Sequence, residues 1–167
     1  MNRYLSQIIT QFEHRKNDVF CEFVTATGDV TLTWGDLETR CRQTICSLDK
    51  ASGERGVALI FLPHCEDIFP VFLGAMLGGY IPSFMPCPSP RQNPALYWQS
   101  HQTLIDTIKP TVIVTNHDMQ TQMEAAGLNT TQTAMVAVEV LKLIWAIFAT
   151  VQRMPLHFSN IAQAPQG

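Results

Sequence analysis

The chain has 167 residues, of which 46% are hydrophobic and only 15% charged, with a formal net charge of −3. That length corresponds to about one domain, and a charged share well below the usual ~25% implies much buried surface. With no positive balance and no run of Lys or Arg, the composition excludes an electrostatic footprint for nucleic acid or for an anionic membrane surface.

Taken in chain order, Leu5, Ile8, Ile9 and Phe12 recur at helical spacing, so residues 4–15 are predicted to form an amphipathic helix. Its polar face is not basic, which favours packing on the domain over lying in a membrane interface. The apolar residues are spaced rather than continuous and no small-residue cleavage site follows, so this is not a signal peptide. In VFCEFVTATGDVTLTW, two β-rich runs flank Ala26-Thr27-Gly28-Asp29, a hairpin signal. Thr33 is a good N-cap for the next helix, near 34–49, with Asp36 three residues on where a capping box prefers Glu or Gln. Leu37, Cys41, Thr44, Ile45 and Leu48 form its buried stripe, and Trp34 is read as a packing anchor. Lys50 to Gly56 ends the helix and turns the chain.

Val57 to Leu62 is a short continuous apolar run, the pattern of a strand covered on both faces. Pro63 stops it. Glu66 and Asp67 favour a helix N-terminus, and Pro70 is tolerable only in a first turn, so the helix starts at 66–68. Gly78-Gly79 ends it by permitting a left-handed cap, and Tyr80 to Met85 is the next strand. The segment PCPSPRQNP is read as a stiff extended connection; a proline-rich ligand for an aromatic groove is the alternative. A helix over 94–108 follows, with Leu96, Tyr97, Leu104, Ile105 and Ile108 available as core. Pro110 ends it, TVIVT is another covered strand, and His117-Asp118 is expected to cap a short helix that Gly127 stops.

Strands alternating with helices imply parallel pairing through right-handed crossovers. The expected fold class is therefore α/β: a partial doubly wound parallel sheet with flanking helices and an N-terminal β-hairpin. Residues 1–133 are assigned to this unit. Residues 134–167 are assigned to an apolar strand-and-helix segment with a truncated tail. Within it, Ala134 to Val151 is long enough to nominate a membrane span. Glu139 and Lys142, each costly at mid-bilayer, favour a strand in MVAVEV and a helix in LKLIWAIFATV.

Five Cys, at 21, 41, 46, 65 and 87, form no C-x-x-C pair and none has zinc-ligand spacing with His. They are read as reduced thiols, with a cytoplasmic location expected. No phosphate-cradling GxxxxGK[ST] or GxGxxG motif and no G-x-S-x-G elbow is present. No residue qualifies as catalytic, cofactor-binding or metal-binding. His64 and His117 alone follow the C-terminal ends of predicted parallel strands, where open α/β sheets bind ligands. They are the candidate substrate-binding residues.

The series TLTWGDLETRC, SGERGVALIFLPHCEDIFPVFLGAMLGGYIPSFMPCPSP and IKPTVIVTN, spanning roughly 30–118, resembles the N-terminal subdomain of AMP-forming acyl-adenylating enzymes. That superfamily holds acyl-CoA synthetases, fatty-acyl-AMP ligases and peptide-synthetase adenylation domains. Its "T-Y-x-x-L" helix start is matched by Thr33 to Leu37. Its "G-D-R-V-A-L-x-x-P-N" strand is matched by Gly53 to Leu59 and Pro63-His64. Its "A-x-x-x-G-A-x-x-x-P" crossover is matched by Ala75 to Pro82, and its "P-x-x-x-I-T" strand by Pro110 to Thr115. His64 stands where Asn is usual, and Gly56 where a bulkier residue often stands. The resemblance implies an N-terminal portion of an ATP- and Mg-dependent ligase that activates a carboxylic or fatty acid for CoA or an acyl-carrier protein. The family's Ser/Thr/Gly-rich phosphate loop, adenine-binding aromatic, ribose-binding Asp and mobile Lys are not matched here, so the chain alone is expected to be inactive. The alternative is a non-catalytic module that docks a carrier protein or partner ligase, or associates with itself through residues 134–151.

Overall fold

The computed structural model describes residues 3–25 and 28–141. Helix α1, Arg3–His14, buries Phe12 and lays Leu5, Ile8 and Ile9 against the first long helix, so its apolar face is consumed within the domain. Strands β1, Val19–Phe23, and β2, Val30–Thr33, pair antiparallel. The turn residues Ala26 and Thr27 lie outside the described residues.

Helix α2, Trp34–Ser52, starts on a complete capping box. The Thr33 backbone N–H donates to Asp36 Oδ2 at 3.0 Å, and the Asp36 N–H donates to Thr33 Oγ1 at 3.1 Å. Asp serves here as well as Glu because the Thr33 hydroxyl also donates to the same Asp36 oxygen, at 2.6 Å. These hydrogen bonds, side-chain first and backbone second, hold the Asp36 carboxyl below its ordinary range. A depressed folded value means the unfolded chain binds the proton more readily, so the contribution is present above the unfolded carboxylate pKa and fades as pH falls through the folded one. Thr33→Ala is expected to lower stability by about 1 kcal/mol at neutral pH. The difference in thermal unfolding between variant and parent should narrow, without vanishing, as pH is lowered: acid weakens the Thr33 hydroxyl bond to the Asp36 carboxylate, whereas the Asp36 N–H bond to Thr33 Oγ1 does not titrate. The helix runs to Ser52, three residues beyond the predicted end, and Gly53 caps it at φ 62°.

Strand β3, Val57–Phe61, leads to α3, Ile68–Leu77, with Pro70 in its first turn, then β4, Ile81–Phe84. The left-handed residue at the end of α3 is Gly79, φ 83°, where the side chain of Arg55 lies against the backbone. Helix α4, Pro94–Ile108, strand β5, Val112–Thr115, helix α5, His117–Ala125, and strand β6, Ala134–Ala137, complete the described elements. The four strands form one parallel sheet in the order β4-β3-β5-β6.

Alternate strand residues enter two different cores. Ala58, Ile60, Val112, Val114 and Val136 meet Leu48 of α2 and Val71 and Ala75 of α3. Leu59, Phe61 and Ile113 meet Ile105 of α4 and Met119 and Met123 of α5. This is the covered-on-both-faces pattern read from the continuous apolar runs. The strand order explains the placement of the helices. From β3 the chain adds β4 on one side, then reverses and passes β3 to add β5 on the other. With crossovers of one hand, that reversal requires the connecting helix to change face. Helix α3 accordingly lies on one face, and α4 and α5 on the other.

Several expectations are corrected. Leu96 and Ile108 of α4 are exposed, at 64% and 37%, while Tyr97, Ile105 and the unanticipated His101 are buried. The buried stripe runs Tyr97, His101, Ile105, and the His101 ring packs between Phe61 and Tyr97, its centroid 5.5 Å from the first and 4.0 Å from the second. The proline segment is held to the second core by Met85 and Cys87, and the Tyr97 hydroxyl donates to the Pro86 carbonyl. Burial pushes the Tyr97 phenol up to about 12, with the neighbouring Cys87 adding to the shift. Gly56 is explained by space: a Cβ there would meet Thr111 Cγ2 at 2.6 Å where β3 and β5 begin. Among the described residues no helix is long and apolar enough to cross a membrane. The expected strand in MVAVEV is β6 for its first part, residues 138–141 are helical, and the rest of 134–151 lies outside the described residues.

Candidate functional site

A reversal of strand addition creates a crevice where the helices leaving two adjacent strands diverge, and open α/β sheets bind ligands at that point. Here the adjacent strands are β3 and β5, with Phe61 opposite Thr115 at their C-terminal ends. Helix α3 leaves β3 toward one face and α5 leaves β5 toward the other. The crevice is therefore bounded by the 62–67 loop, the N-terminus of α3, Asn116 and the N-terminus of α5.

Both imidazoles singled out from the sequence lie on this rim and both are exposed. His64 packs its ring on Phe23 of the hairpin, with centroids 5.4 Å apart, and Phe23 in turn touches Phe69 at 5.9 Å. Phe69 also meets Phe20 edge-on at 5.5 Å, so an aromatic shelf joins β1 to the start of α3. His117 is the first residue of α5, and its backbone N–H donates to Glu139 Oε2 at 3.2 Å. The structure thus brings the two histidines to neighbouring strand exits but gives each a different partner.

Three features of this rim escaped the sequence reading: the Asn116 cap, the burial and pairing of Asp67, whose place at the helix start was expected, and the reach of Glu139. The cap of α5 is Asn116, whose Oδ1 accepts from the Met119 N–H at 2.8 Å; His117 and Asp118 are the first helical residues rather than the cap. An Asn directly after a covered strand was the available signal. Asp67, 1% exposed, sits at the N-cap of α3 without making a side-chain cap, and Arg40 Nη1 approaches its Oδ1 at 3.4 Å. Glu139 reaches α5 from beyond β6. The Arg40–Asp67 pair depends on the packing of α2 on α3 and the reach of Glu139 on the sheet order, so no local pattern reveals them.

The donors at the crevice are largely taken by the chain itself. At α3, the Ile68 N–H donates to the Cys65 carbonyl at 3.2 Å, and Pro70 has no N–H. At α5, the His117 and Met119 N–H groups go to Glu139 and Asn116. Among the described residues no group of three or more His, Cys, Asp and Glu is placed to hold a metal ion. A separate open groove of about 700 Å³ runs between α4 and α5, lined by Trp98, Gln99, Gln102, Gln122 and Leu128 among others, with no charged side chain on its walls. It carries no group suited to acid–base or nucleophilic chemistry.

No protein-family model matches the chain. No curated protein matches it either. Solved structures do. A fatty acyl-adenylate ligase from L. pneumophila, in complex with acyl adenylate and pyrophosphate, superposes with a TM-score of 0.66 at 18% identity, covering 84% of this chain and 24% of that one. McyG A-PCP complexed with phenylalanyl-adenylate gives 0.65 at 16% identity, covering 83% and 22%. A benzoate CoA ligase from Burkholderia xenovorans gives 0.62 at 15% identity, covering 82% and 26%. The chain spans about a quarter of the length of these proteins. The parallel sheet, its two helical layers and the hairpin thus have the fold of a partial N-terminal subdomain of the AMP-forming acyl-adenylating enzymes.

Proposed function

We propose that this chain is scaffold from an ATP-dependent, AMP-forming acyl-activating ligase and forms no acyl-adenylate by itself. The observation that carries this reading is the overall fold: the chain, with its parallel four-stranded sheet, superposes on a fatty acyl-adenylate ligase over 84% of its length at a TM-score of 0.66. The parent reaction would join a carboxylic or fatty acid to ATP, releasing pyrophosphate, and pass the acyl group to the thiol of CoA or of a carrier protein. His64 and His117 are the side chains of this chain proposed to meet substrate, from the rim of the crevice.

ATP and Mg are the groups this fold implies, and the described residues do not fit them. Phosphoryl chemistry needs convergent amides, a Lys and a metal-holding carboxylate set to carry developing charge. At the crevice the Ile68, His117 and Met119 amides are already bonded within the chain, and among the described residues there is no metal-holding cluster. The sequence also lacks a Ser/Thr/Gly-rich loop ending in Lys. ATP–pyrophosphate exchange by the purified 167-residue protein, across fatty, aromatic and amino acids, is expected to stay at background. Saturable exchange with any one acid would overturn the proposal.

A further inference from the structure

We infer that the switch-point crevice of this chain is closed to phosphate by the chain itself, with Glu139 acting as a tethered anion on the N-terminus of α5. A helix N-terminus attracts anions through its unsatisfied N–H groups and the positive end of its dipole. At α5 two of the first three N–H groups are taken. Glu139 Oε2 accepts from the His117 N–H at 3.2 Å, and Asn116 Oδ1 accepts from the Met119 N–H at 2.8 Å. At α3 the first turn is poor in donors, because the Ile68 N–H goes to the Cys65 carbonyl and Pro70 has none. The buried Asp67 carboxylate stands at the same helix end, beside Arg40. Glu66, Asp67, Asp118 and Glu139 lie at or beside the two helix starts, and an incoming phosphate would face like charge and helix starts where the Ile68, His117 and Met119 amides are already bonded.

Glu139 also has a structural consequence. It lies two residues beyond β6, so its hydrogen bond ties the chain leaving the sheet edge back to the exit of the neighbouring strand β5. The inference deepens the proposed function by saying where nucleotide is not held. It rests on the amide geometry, so it is read out separately from turnover.

The test is residue-resolved amide NMR on the full chain, titrated with Mg-ATP and, separately, with inorganic pyrophosphate. No saturable shift is expected at Ile68, Phe69, His117 or Met119; a saturable shift at these amides overturns the inference even if pyrophosphate exchange stays at background. In Glu139→Ala, the His117 amide should exchange with solvent about tenfold faster, the loss expected for one charge-assisted hydrogen bond. Glu139→Gln keeps an acceptor and should lie close to the parent. Unchanged exchange at His117 in Glu139→Ala would show that the carboxylate does not hold this amide, and would overturn the tethered-anion assignment.

Discussion

Phe61→Ala is expected to destabilise the protein by about 3–5 kcal/mol, the range for emptying a large aromatic site in a packed core. Phe61 is 0% exposed and closes the C-terminal end of β3. Its ring packs in the core formed with Leu59, Ile105, Ile113, Met119 and Met123, and the His101 ring leans on it at 5.5 Å. Truncation would remove the contact between strand and α4 layer at the point where the crevice begins. Domains of this kind are stable by only about 5–15 kcal/mol in total, so the variant should be largely unfolded at moderate urea concentrations where the parent is not. Phe61→Leu, which keeps most of the volume, should recover most of the loss. A Phe61→Ala midpoint within error of the parent would mean the two-faced core is wrongly drawn.

Gly74→Val is expected to cost about 3 kcal/mol, the upper end for forcing volume into a packed interface. Helices α2 and α3 approach each other through Gly74. A Cβ placed there would stand 2.7 Å from Thr44 Cβ and 2.9 Å from the Cys41 carbonyl oxygen. Both obstacles are fixed, since one is backbone and the other is attached directly to it. The small gain in helix propensity on replacing Gly is at most about 1 kcal/mol and cannot offset the clash. Gly74→Ala should fall between the parent and Gly74→Val. Chemical denaturation of the three proteins checks the order, and an alanine variant more stable than the parent would show that the helices can separate freely.

The covered strands and their direction were legible because the physics is local. Val57 to Phe61 and Val112 to Thr115 read as apolar on both faces, and a helix between two such runs leaves little choice but a parallel pair. The cap at Thr33 and the stop at Gly78-Gly79 were equally local. What escaped was decided across the chain. On α4 Leu96 faces outward, whereas His101, a polar residue by type, is buried with its Nδ1 2.7 Å from the Tyr97 carbonyl oxygen. The rim of the crevice was located by topology through His64 and His117, but its electrostatics depend on Arg40, Asp67 and Glu139. Arg40 meets Asp67 through the packing of α2 on α3, and Glu139 reaches His117 because β6 lies beside β5; both pairs are far apart in sequence.

The claim beneath the proposed function is that β3 lies between β4 and β5 with all three strands parallel. Nuclear Overhauser contacts across the sheet of the full chain test it most directly. The expected result is Leu59 beside both Ser83 and Ile113, in the staggered pattern of parallel pairs. Close Hα–Hα contacts of antiparallel pairing, or β4 found next to β5, would contradict it.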